Sequence, residues 1–479
     1  MDLTDLCNKY TLLCGIEEEF LLLSKEGTLA PLADDVMRQA AVILSRDTNR
    51  LRSLRLKIRA LDPEPSRTQI EYVTLPVELE MLKECVSEGR RLLIDAVHEL
   101  GGKVLAHSIH PIQSDPNPLV GVHINVSARK GGGNTFMTPE EMLIVYNHLW
   151  NHLPELIALS ANSPIYRGTR NNIASNRIAN SSVLETNPLG RLEIPEDRPQ
   201  LVQARYYGRL RYSFRISTST DKRRIITNSA GNRLVDITPR GPSTNIDQDQ
   251  DESPIRNRIE TRIFDVQPRI EALLDLTYII CGLTLEALDL KATKAIRSDP
   301  YHAENKQRAI RWGLDATFIK NGQQVSAHES ILKMLERTQP HREALNLELT
   351  SHLSNVEPEI WQKEDLKIRA STPRFEELRS RGKNILLIRI GSPRTAVDQR
   401  SGRQYRVKQG TRLMGRLSAN FQLTYTEEAG LVVGFQDIKI INTLVINGTS
   451  LPLQAEDNIE RALSEEEYIL SHFLGRTLF

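Results

Sequence analysis

Three consecutive glutamates stand inside an otherwise apolar stretch near the start of the chain, TLLCGIEEEFLLLS at residues 11–24. Apolar runs around an alternating centre are typical of a β-strand. Because successive strand side chains point to opposite faces, Glu17 and Glu19 share one face and Glu18 lies on the other. Burying two carboxylates side by side costs several kcal/mol each unless a cation compensates for them. The pattern leaves two alternatives: a divalent metal such as Mg2+ bound by these oxygens, or an edge strand whose Glu17 and Glu19 face water.

Three more predicted strands each carry one group of the kind that binds metals. The groups are Glu71 in QIEYVT, His123 in GVHINV and Glu260 in RIETR, each within an apolar alternation. Any one of them, taken alone, would more often be a structural residue. Their occurrence together on four strands is difficult to explain without a sheet that binds metal ions on one face.

Composition excludes several classes of protein. The 479 residues are too many for one ordinary domain, so two or three units are expected. A net charge of +1 provides no general attraction for nucleic acid or an anionic membrane. Four cysteines without a CxxC pair argue against a zinc site or a disulfide framework and indicate a reducing compartment. With no apolar signal-peptide core and no apolar stretch of about 18 residues, we expect a soluble, cytoplasmic protein without a membrane partner.

The pattern along the chain predicts two domains, 1–362 and 363–479. The first would contain strands at 11–24, 67–75, 103–107, 120–127 and 258–265, helices at 77–100, 139–161 and 269–292, and further helical patterns to about residue 362. Residues 165–256 are irregular and include an acidic run, DQDQDE, that is typical of a solvated loop. The second would contain strands at 384–390, 411–425, 430–442 and 443–453 and a capped helix, SEEEYILSHFL, and would therefore be β-rich.

Several of these segments occur in an order that resembles a known family. The segments are GIEEEF, QIEYVT, GVHINV, LIALSANSPIYRG, RIETRIFD and ENKQRAIRWGLD. Together they resemble the glutamate-cysteine ligase and carboxylate-amine ligase family of bacteria and archaea, which is similar in turn to glutamine synthetase. The resemblance covers roughly residues 11–335, with gaps. It implies an α+β fold in which a curved antiparallel β-sheet is walled by helices, with ATP and a carboxylate substrate entering from opposite ends.

The resemblance also implies an activity and a set of metal ligands. The activity is ATP-dependent ligation of a carboxylate, such as the γ-carboxyl of glutamate, to an amine through an acyl phosphate. Two or three Mg2+ or Mn2+ ions would neutralise the charge of the phosphoryl group in transfer. Their ligands would be Glu17, Glu19, Glu71, His123 and Glu260.

Two residues beside these ligands are further candidates. Arg262 shares a strand face with Glu260, so it would either bind the γ-phosphate or acyl phosphate, or form a buried salt bridge to Glu260. Asn125 lies two residues from His123 on the same face and would contact substrate, nucleotide or metal-bound water.

Three arginines outside the strands are candidates for binding anions. They are Arg177, together with Arg308 or Arg311 on a later helix, because a guanidinium fork matches a carboxylate or a phosphate. Arg177 is assigned to catalysis, and Arg308 and Arg311 to nucleotide binding.

Alternatives to a small-molecule ligase stay open. Residues 363–479 would stabilise the protein or form a dimer, or else recruit a protein or peptide carboxylate as substrate. The stretch RYYGRLRY at 205–212 could stack RNA bases or form a flap of the active site, and nucleic acid is the weaker of these two interpretations. A scaffold that only binds nucleotide is disfavoured because every expected ligand is present. Sheets of this kind often associate at their edges, so a homo-oligomer is an open expectation.

Overall fold

The structure is a computed structural model that describes residues 2–64, 66–113, 118–133, 135–180, 237–240, 257–290, 299–350, 367–369, 373–398 and 400–473. The chain divides into two units, and each has its own hydrophobic core. The first comprises Met1–Lys363 together with Thr426–Gly434, and the second comprises Glu364–Tyr425 together with Phe435–Phe479. The stretch RYYGRLRY and the acidic run DQDQDE lie outside the described residues.

The first unit is built on an antiparallel sheet. In chain order the strands of this unit are β1 (Tyr10–Leu23), β2 (Ile58–Pro63), β3 (Gln69–Thr74), β4 (Val77–Glu78), β5 (Lys103–Leu105), β6 (Val122–Lys130), β7 (Thr135–Phe136), β8 (Ile165–Tyr166), β9 (Thr169–Arg170), β10 (Ile237–Arg240), β11 (Arg258–Phe264), β12 (Thr317–Lys320) and β13 (Gln323–Ser326). The pairs β8–β9 and β12–β13 form separate two-stranded sheets. Six of the other strands pair in the order β2–β3–β1–β6–β11–β10, and every neighbouring pair is antiparallel. The glutamate-rich strand β1 therefore lies inside the sheet, and the edge-strand alternative is wrong.

Helices cover the sheet of the first unit. They are α1 (Leu3–Lys9), α2 (Ala33–Arg46), α3 (Thr48–Leu54), α4 (Leu79–Glu99), α5 (Pro139–Asn151), α6 (Leu153–Ser160), α7 (Asn176–Asn180), α8 (Ile270–Leu290), α9 (His302–Trp312) and α10 (Ala327–Ala344). Helix α4 packs against β1 and β3, and α8 packs against β6. Ile16 of β1, Ile124 of β6 and Ile280 of α8 are fully buried in one core cluster. The apolar face of the sheet is thus closed by helices, and its other face is left for polar side chains.

Two local predictions need correction. The helix expected over 139–161 is two helices, because α6 follows His152 with Pro154 in its first turn and proline supplies no N–H to the preceding turn. The helical pattern expected to continue to 362 is interrupted by the β12–β13 hairpin. Its turn is Asn321-Gly322, both with positive φ, which is the dipeptide that a two-residue hairpin turn favours.

The second unit is strand-rich. Its elements are β14 (Lys367–Arg369), α11 (Pro373–Ser380), β15 (Ile385–Arg389), β16 (Arg394–Asp398), β17 (Gln404–Val407), most of β18 (Arg412–Glu428) and β19 (Leu431–Ile446), β20 (Thr449–Pro452), β21 (Asn458–Leu463) and α12 (Glu465–Phe473). The predicted capping box of α12 is present, since Ser464 and Glu467 each accept a hydrogen bond from the backbone N–H of the other. The α+β class with a β-rich C-terminal part is confirmed. The division into a catalytic domain at 1–362 and a C-terminal domain of unknown role at 363–479 stays a prediction.

None of the helices in the described ranges is both long and apolar enough to cross a membrane.

Candidate active site

The register of the central strands brings the predicted ligands onto one face. Glu17 of β1 lies directly opposite His123 of β6, and Glu19 lies opposite Glu71 of β3. On the other side of β6, Asn125 is paired with Glu260 of β11. Directly opposed residues in an antiparallel pair project to the same face.

His123 is the centre of this cluster. Its Nδ1 lies 3.0 Å from Glu17 Oε2 and 3.7 Å from Glu260 Oε1, and its Nε2 lies 3.6 Å from Glu19 Oε1. Glu17, Glu71 and His123 also offer one ligand atom each within 4.8 Å of one another. The structure therefore brings together the five residues that the sequence nominates as metal ligands, here called the carboxylate cluster: Glu17, Glu19, Glu71, His123 and Glu260.

The members of the carboxylate cluster shift one another's pKa values. Burial, followed by the charges of Glu17 and Glu19, raises the pKa of Glu71 to about 9. Burial and Glu260 also act to raise the pKa of Glu17, but the hydrogen bond and charge of His123, together with the charge of Arg262, outweigh them and lower it. Without a cation, the cluster therefore retains a proton on Glu71 at neutral pH. Four carboxylates and one imidazole on one face offer the mainly oxygen donor set that fits a hard divalent ion such as Mg2+ or Mn2+.

Arg262 lies against the carboxylate cluster. Its Nη1 is 2.5 Å from Glu260 Oε1, which is the salt bridge considered as an alternative from the sequence. Burial acts to lower the pKa of Arg262, but the negative charges of Glu260, Glu17 and Glu19 outweigh it and raise the pKa. Arg262 therefore stays charged beside the cluster, and its role toward a phosphate stays a prediction.

Asn125 connects the cluster to an arginine that the sequence analysis missed. Its side-chain Nδ2 donates to Glu17 Oε1 over 3.1 Å, and its side-chain Oδ1 accepts a hydrogen bond from Arg258 Nε over 2.9 Å. Arg258 precedes Glu260 by two residues on β11, so the strand period placed it on the same face. That signal was available in the sequence and identifies Arg258 as a further cation near the site.

Arg177 approaches the same region from α7. Its Nη1 and Nη2 both donate to the carbonyl oxygen of Arg262 over 3.2 Å. The guanidinium lies against Gly121, where an added Cβ would come within 2.0 Å of Nη2. The N–H of Gly121 in turn donates to Glu19 Oε2 over 2.9 Å. Burial lowers the pKa of Arg177, and the charges of Asp265 and Glu19 oppose that shift.

The other two predicted arginines have their described contacts elsewhere. Arg308 pairs with Glu304 over 2.7 Å and donates to the carbonyl oxygen of Thr317 over 2.8 Å. Arg311 is exposed, and its guanidinium lies over the ring of Trp312. The structure does not bring either residue to the carboxylate cluster, so nucleotide binding by them stays a prediction.

Glu18 has a structural partner on the reverse face of β1. Arg90 of α4 donates from Nε and Nη2 to its two carboxylate oxygens over 2.9 and 2.7 Å, and the hydroxyl of Tyr72 also donates to it. Arg90 further donates to the carbonyl oxygens of Pro268 and Gln267 over 2.7 and 2.6 Å. The glutamate triplet thus has two roles, with Glu17 and Glu19 in the cluster and Glu18 joining the sheet to α4.

The pKa of Glu71 predicts how stability depends on pH when no metal is present. Between its unfolded pKa of about 4.5 and its folded pKa of about 9, Glu71 holds a proton that the unfolded chain lacks. The corresponding stability is fully present below about 4.5 and is lost as pH rises through about 9. We expect this contribution of Glu71 to the free energy of unfolding to fall by roughly 2 to 3 kcal/mol between pH 6.5 and 8.5.

The measurement is urea unfolding in EDTA at several pH values, with Glu71→Gln as the comparison. The buried His107, whose pKa burial lowers to about 4, stays neutral in the folded state but is partly protonated in the unfolded chain near pH 6.5, so it slightly opposes this decline in both proteins. Glu71→Gln should show a much smaller decline in stability with rising pH. Equal slopes for the two proteins would contradict the assignment.

Comparison with known proteins identifies the family. Residues 13–360 match the glutamate-cysteine ligase family 2 (GCS2), and the chain belongs to that family. A candidate glutamate–cysteine ligase 2-1 of Rubrobacter xylanophilus is 30% identical over 219 residues, which cover 44% of this chain and 49% of that protein. A candidate glutamate–cysteine ligase 2 of Nitrosospira multiformis is 25% identical over 361 residues, covering 69% of this chain and 84% of that protein.

The extent of these matches is limited. The Rubrobacter match spans about half the length of that relative. Among solved structures, the glutamate–cysteine ligase of Francisella tularensis in complex with AMP has a TM-score of 0.46 and 14% identity, covering 71% of this chain and 81% of that chain.

Proposed function

We propose that this protein is an ATP-dependent ligase that joins a carboxylate to an amine through an acyl phosphate. The observation that carries the proposal is the convergence of Glu17, Glu19, Glu71, His123 and Glu260 on one sheet face, with a partly buried cation, Arg262, beside them. Membership of the glutamate-cysteine ligase family 2 supports it.

The proposed chemistry has two steps. An oxygen of the substrate carboxylate attacks the γ-phosphorus of ATP, and ADP leaves. The amine then attacks the acyl carbon, phosphate leaves with the former carboxylate oxygen, and the amine loses a proton as the amide forms. When bound to the carboxylate cluster, Mg2+ or Mn2+ would neutralise phosphate charge during the first step.

The protein's own groups hold and orient the reactants. Arg262 is a fixed positive charge that faces the carboxylate cluster, and a preorganised cation stabilises charge on a transferring phosphoryl group. Asn125 and Arg258 hold Glu17 in place through consecutive hydrogen bonds. A cysteine nucleophile is not needed, and burial raises the pKa of Cys85 to about 11, which keeps that thiol protonated.

The substrate class is part of the proposal. We infer a small acid, such as glutamate or a glutamate-like group, together with a small amine. A second candidate is the carboxylate of a protein or peptide bound through the second unit. The exposed apolar side chains of Ile469 and Leu470, adjacent on α12 of that unit, would be available to such a partner.

Phosphate release from ATP and Mg2+ tests the proposal. Glutamate and other carboxylates would be scanned against cysteine, ammonia and simple amines, with each reactant also omitted in turn. We expect release that requires one particular acid and one particular amine. Release independent of both would contradict ligation, and silence with bound ATP would favour the protein or peptide substrate.

A further inference from the structure

Asp265 is a buried carboxylate one residue beyond the end of β11. It is fully inaccessible to solvent and accepts three hydrogen bonds from two other segments. The donors are the backbone N–H of Asn162 at 2.9 Å and the hydroxyls of Ser163 at 2.7 Å and Ser175 at 2.9 Å. Asp265 thus joins β11 to the end of α6 and to the loop before α7.

The two serines also accept hydrogen bonds from the backbone of α7. The N–H of Arg177 donates to Ser163 Oγ over 3.2 Å, and the N–H of Ile178 donates to Ser175 Oγ over 3.2 Å. A serine hydroxyl has one proton, which each gives to Asp265, and lone pairs that remain for these N–H groups. The first N–H groups of a helix have no partner within the helix. Each serine therefore caps α7 while its hydroxyl donates to Asp265.

The side chain of Arg177 also contacts β11, the strand that Asp265 follows. Its guanidinium donates to the carbonyl oxygen of Arg262, three residues before Asp265, and occupies the space left by the missing side chain of Gly121. Gly121 holds Glu19 through its N–H. α7 is therefore held to β11 through both its backbone and its arginine, and the arginine borders a residue of the carboxylate cluster.

We propose that Asp265 is a positioning residue, which fixes Arg177 against Gly121 and Arg262 and thereby sets the geometry of the carboxylate cluster. Its burial is consistent with this role, since a carboxylate out of water is retained only where donors and positive charge compensate for it. The kinetic part of this inference rests on the proposed ligase function. The structural part concerns only the contacts of α7.

Asp265→Asn tests the role, and Asp275→Asn is a matched control. Asp275 of α8 is equally buried and accepts the N–H and hydroxyl of Thr350 over 2.8 and 2.5 Å, away from α7. Both variants should lose thermal stability. Only Asp265→Asn should lower kcat, by about 10- to 100-fold, as is typical for residues that orient metal ligands indirectly. Equal losses of kcat in both variants would reduce Asp265 to a structural residue and overturn the proposal.

A double-mutant cycle with Arg177→Lys shows whether the effect passes through Arg177. Lysine retains the charge but lacks the fork that makes both bonds to the Arg262 carbonyl. The double variant Asp265→Asn/Arg177→Lys should be about as active as Arg177→Lys alone, because the positioning partner is already lost. Losses in kcat that multiply would show that the two residues act independently and would contradict the proposal.

Hydrogen exchange provides a readout that does not need activity. Asp265→Asn should accelerate amide exchange in peptides that contain Asn176–Asn180, whereas Asp275→Asn should leave it unchanged. Unchanged exchange in Asp265→Asn would overturn the positioning role. If the wild-type protein showed no ligase activity, the proposed function would fail. The exchange result would still show whether Asp265 holds α7 in place.

Discussion

Glu19→Gln is expected to lower the rate of ATP-dependent phosphate release by about a thousandfold or more, with the fold retained. Glu19 lies opposite Glu71 in the sheet, and its Oε1 is 3.6 Å from His123 Nε2. Glutamine keeps an oxygen that can accept the N–H of Gly121, so the local backbone contact survives. What is lost is one negative charge toward a divalent ion, and about 4 kcal/mol of lost transition-state stabilisation corresponds to about a thousandfold in rate.

The comparison variant is Glu26→Gln, which changes an exposed glutamate just beyond the same strand. It should retain activity within about twofold, because a surface substitution of this kind touches no reacting group. Rates would be measured over a range of Mg2+ concentrations, and Glu19→Gln should also require more Mg2+ for its residual activity. Full activity of Glu19→Gln at low Mg2+ would remove Glu19 from the metal ligands.

Arg90→Met is expected to lower the free energy of unfolding by about 3 to 5 kcal/mol. The substitution would leave Glu18 fully buried without its cation. It would also remove the donors to the carbonyl oxygens of Pro268 and Gln267, which lie between β11 and α8. Breaking one partner of a buried ion pair costs far more than the net value of the pair, because the remaining charge stays out of water.

Arg91→Met is the matched control for this prediction. Arg91 is the next residue on α4, its side chain is 62% exposed, and its ion pair with Glu88 lies at the surface. Its loss should change stability by no more than about 0.5 kcal/mol. Urea unfolding of both variants measures the difference, and Glu18→Gln/Arg90→Met should recover part of the loss. Equal stability of Arg90→Met and Arg91→Met would show that the Glu18 contact is unimportant.

The sequence predicted the carboxylate cluster because strand period is a local property. Alternation alone places Glu17 and Glu19 on one face, and the same reasoning applies to Glu260 and to the overlooked Arg258. The pairing of His123 with Glu17 was not predictable in detail, since it depends on the register of two strands about 100 residues apart. The family resemblance supplied what strand period could not.

Other parts of the site depend on contacts that leave no local pattern. Arg90 lies in an amphipathic helix and resembles any other arginine until α4 packs on the reverse face of β1. Asp265 follows a strand and is identifiable as a positioning residue only once Ser163 and Ser175 are placed around it. Such long-range hydrogen bonds arise from packing rather than from periodicity, so they could not be predicted from the sequence.

Isotope transfer from the acid substrate to phosphate tests the central proposal most directly. The acid that supports phosphate release, with glutamate tried first, would be labelled with oxygen-18 in its carboxylate and incubated with ATP, Mg2+ and the amine. Mass spectrometry would then locate the label. An acyl phosphate predicts one labelled oxygen in the released phosphate for each amide formed. Label in AMP, or amide formation with unlabelled phosphate, would contradict the proposed mechanism.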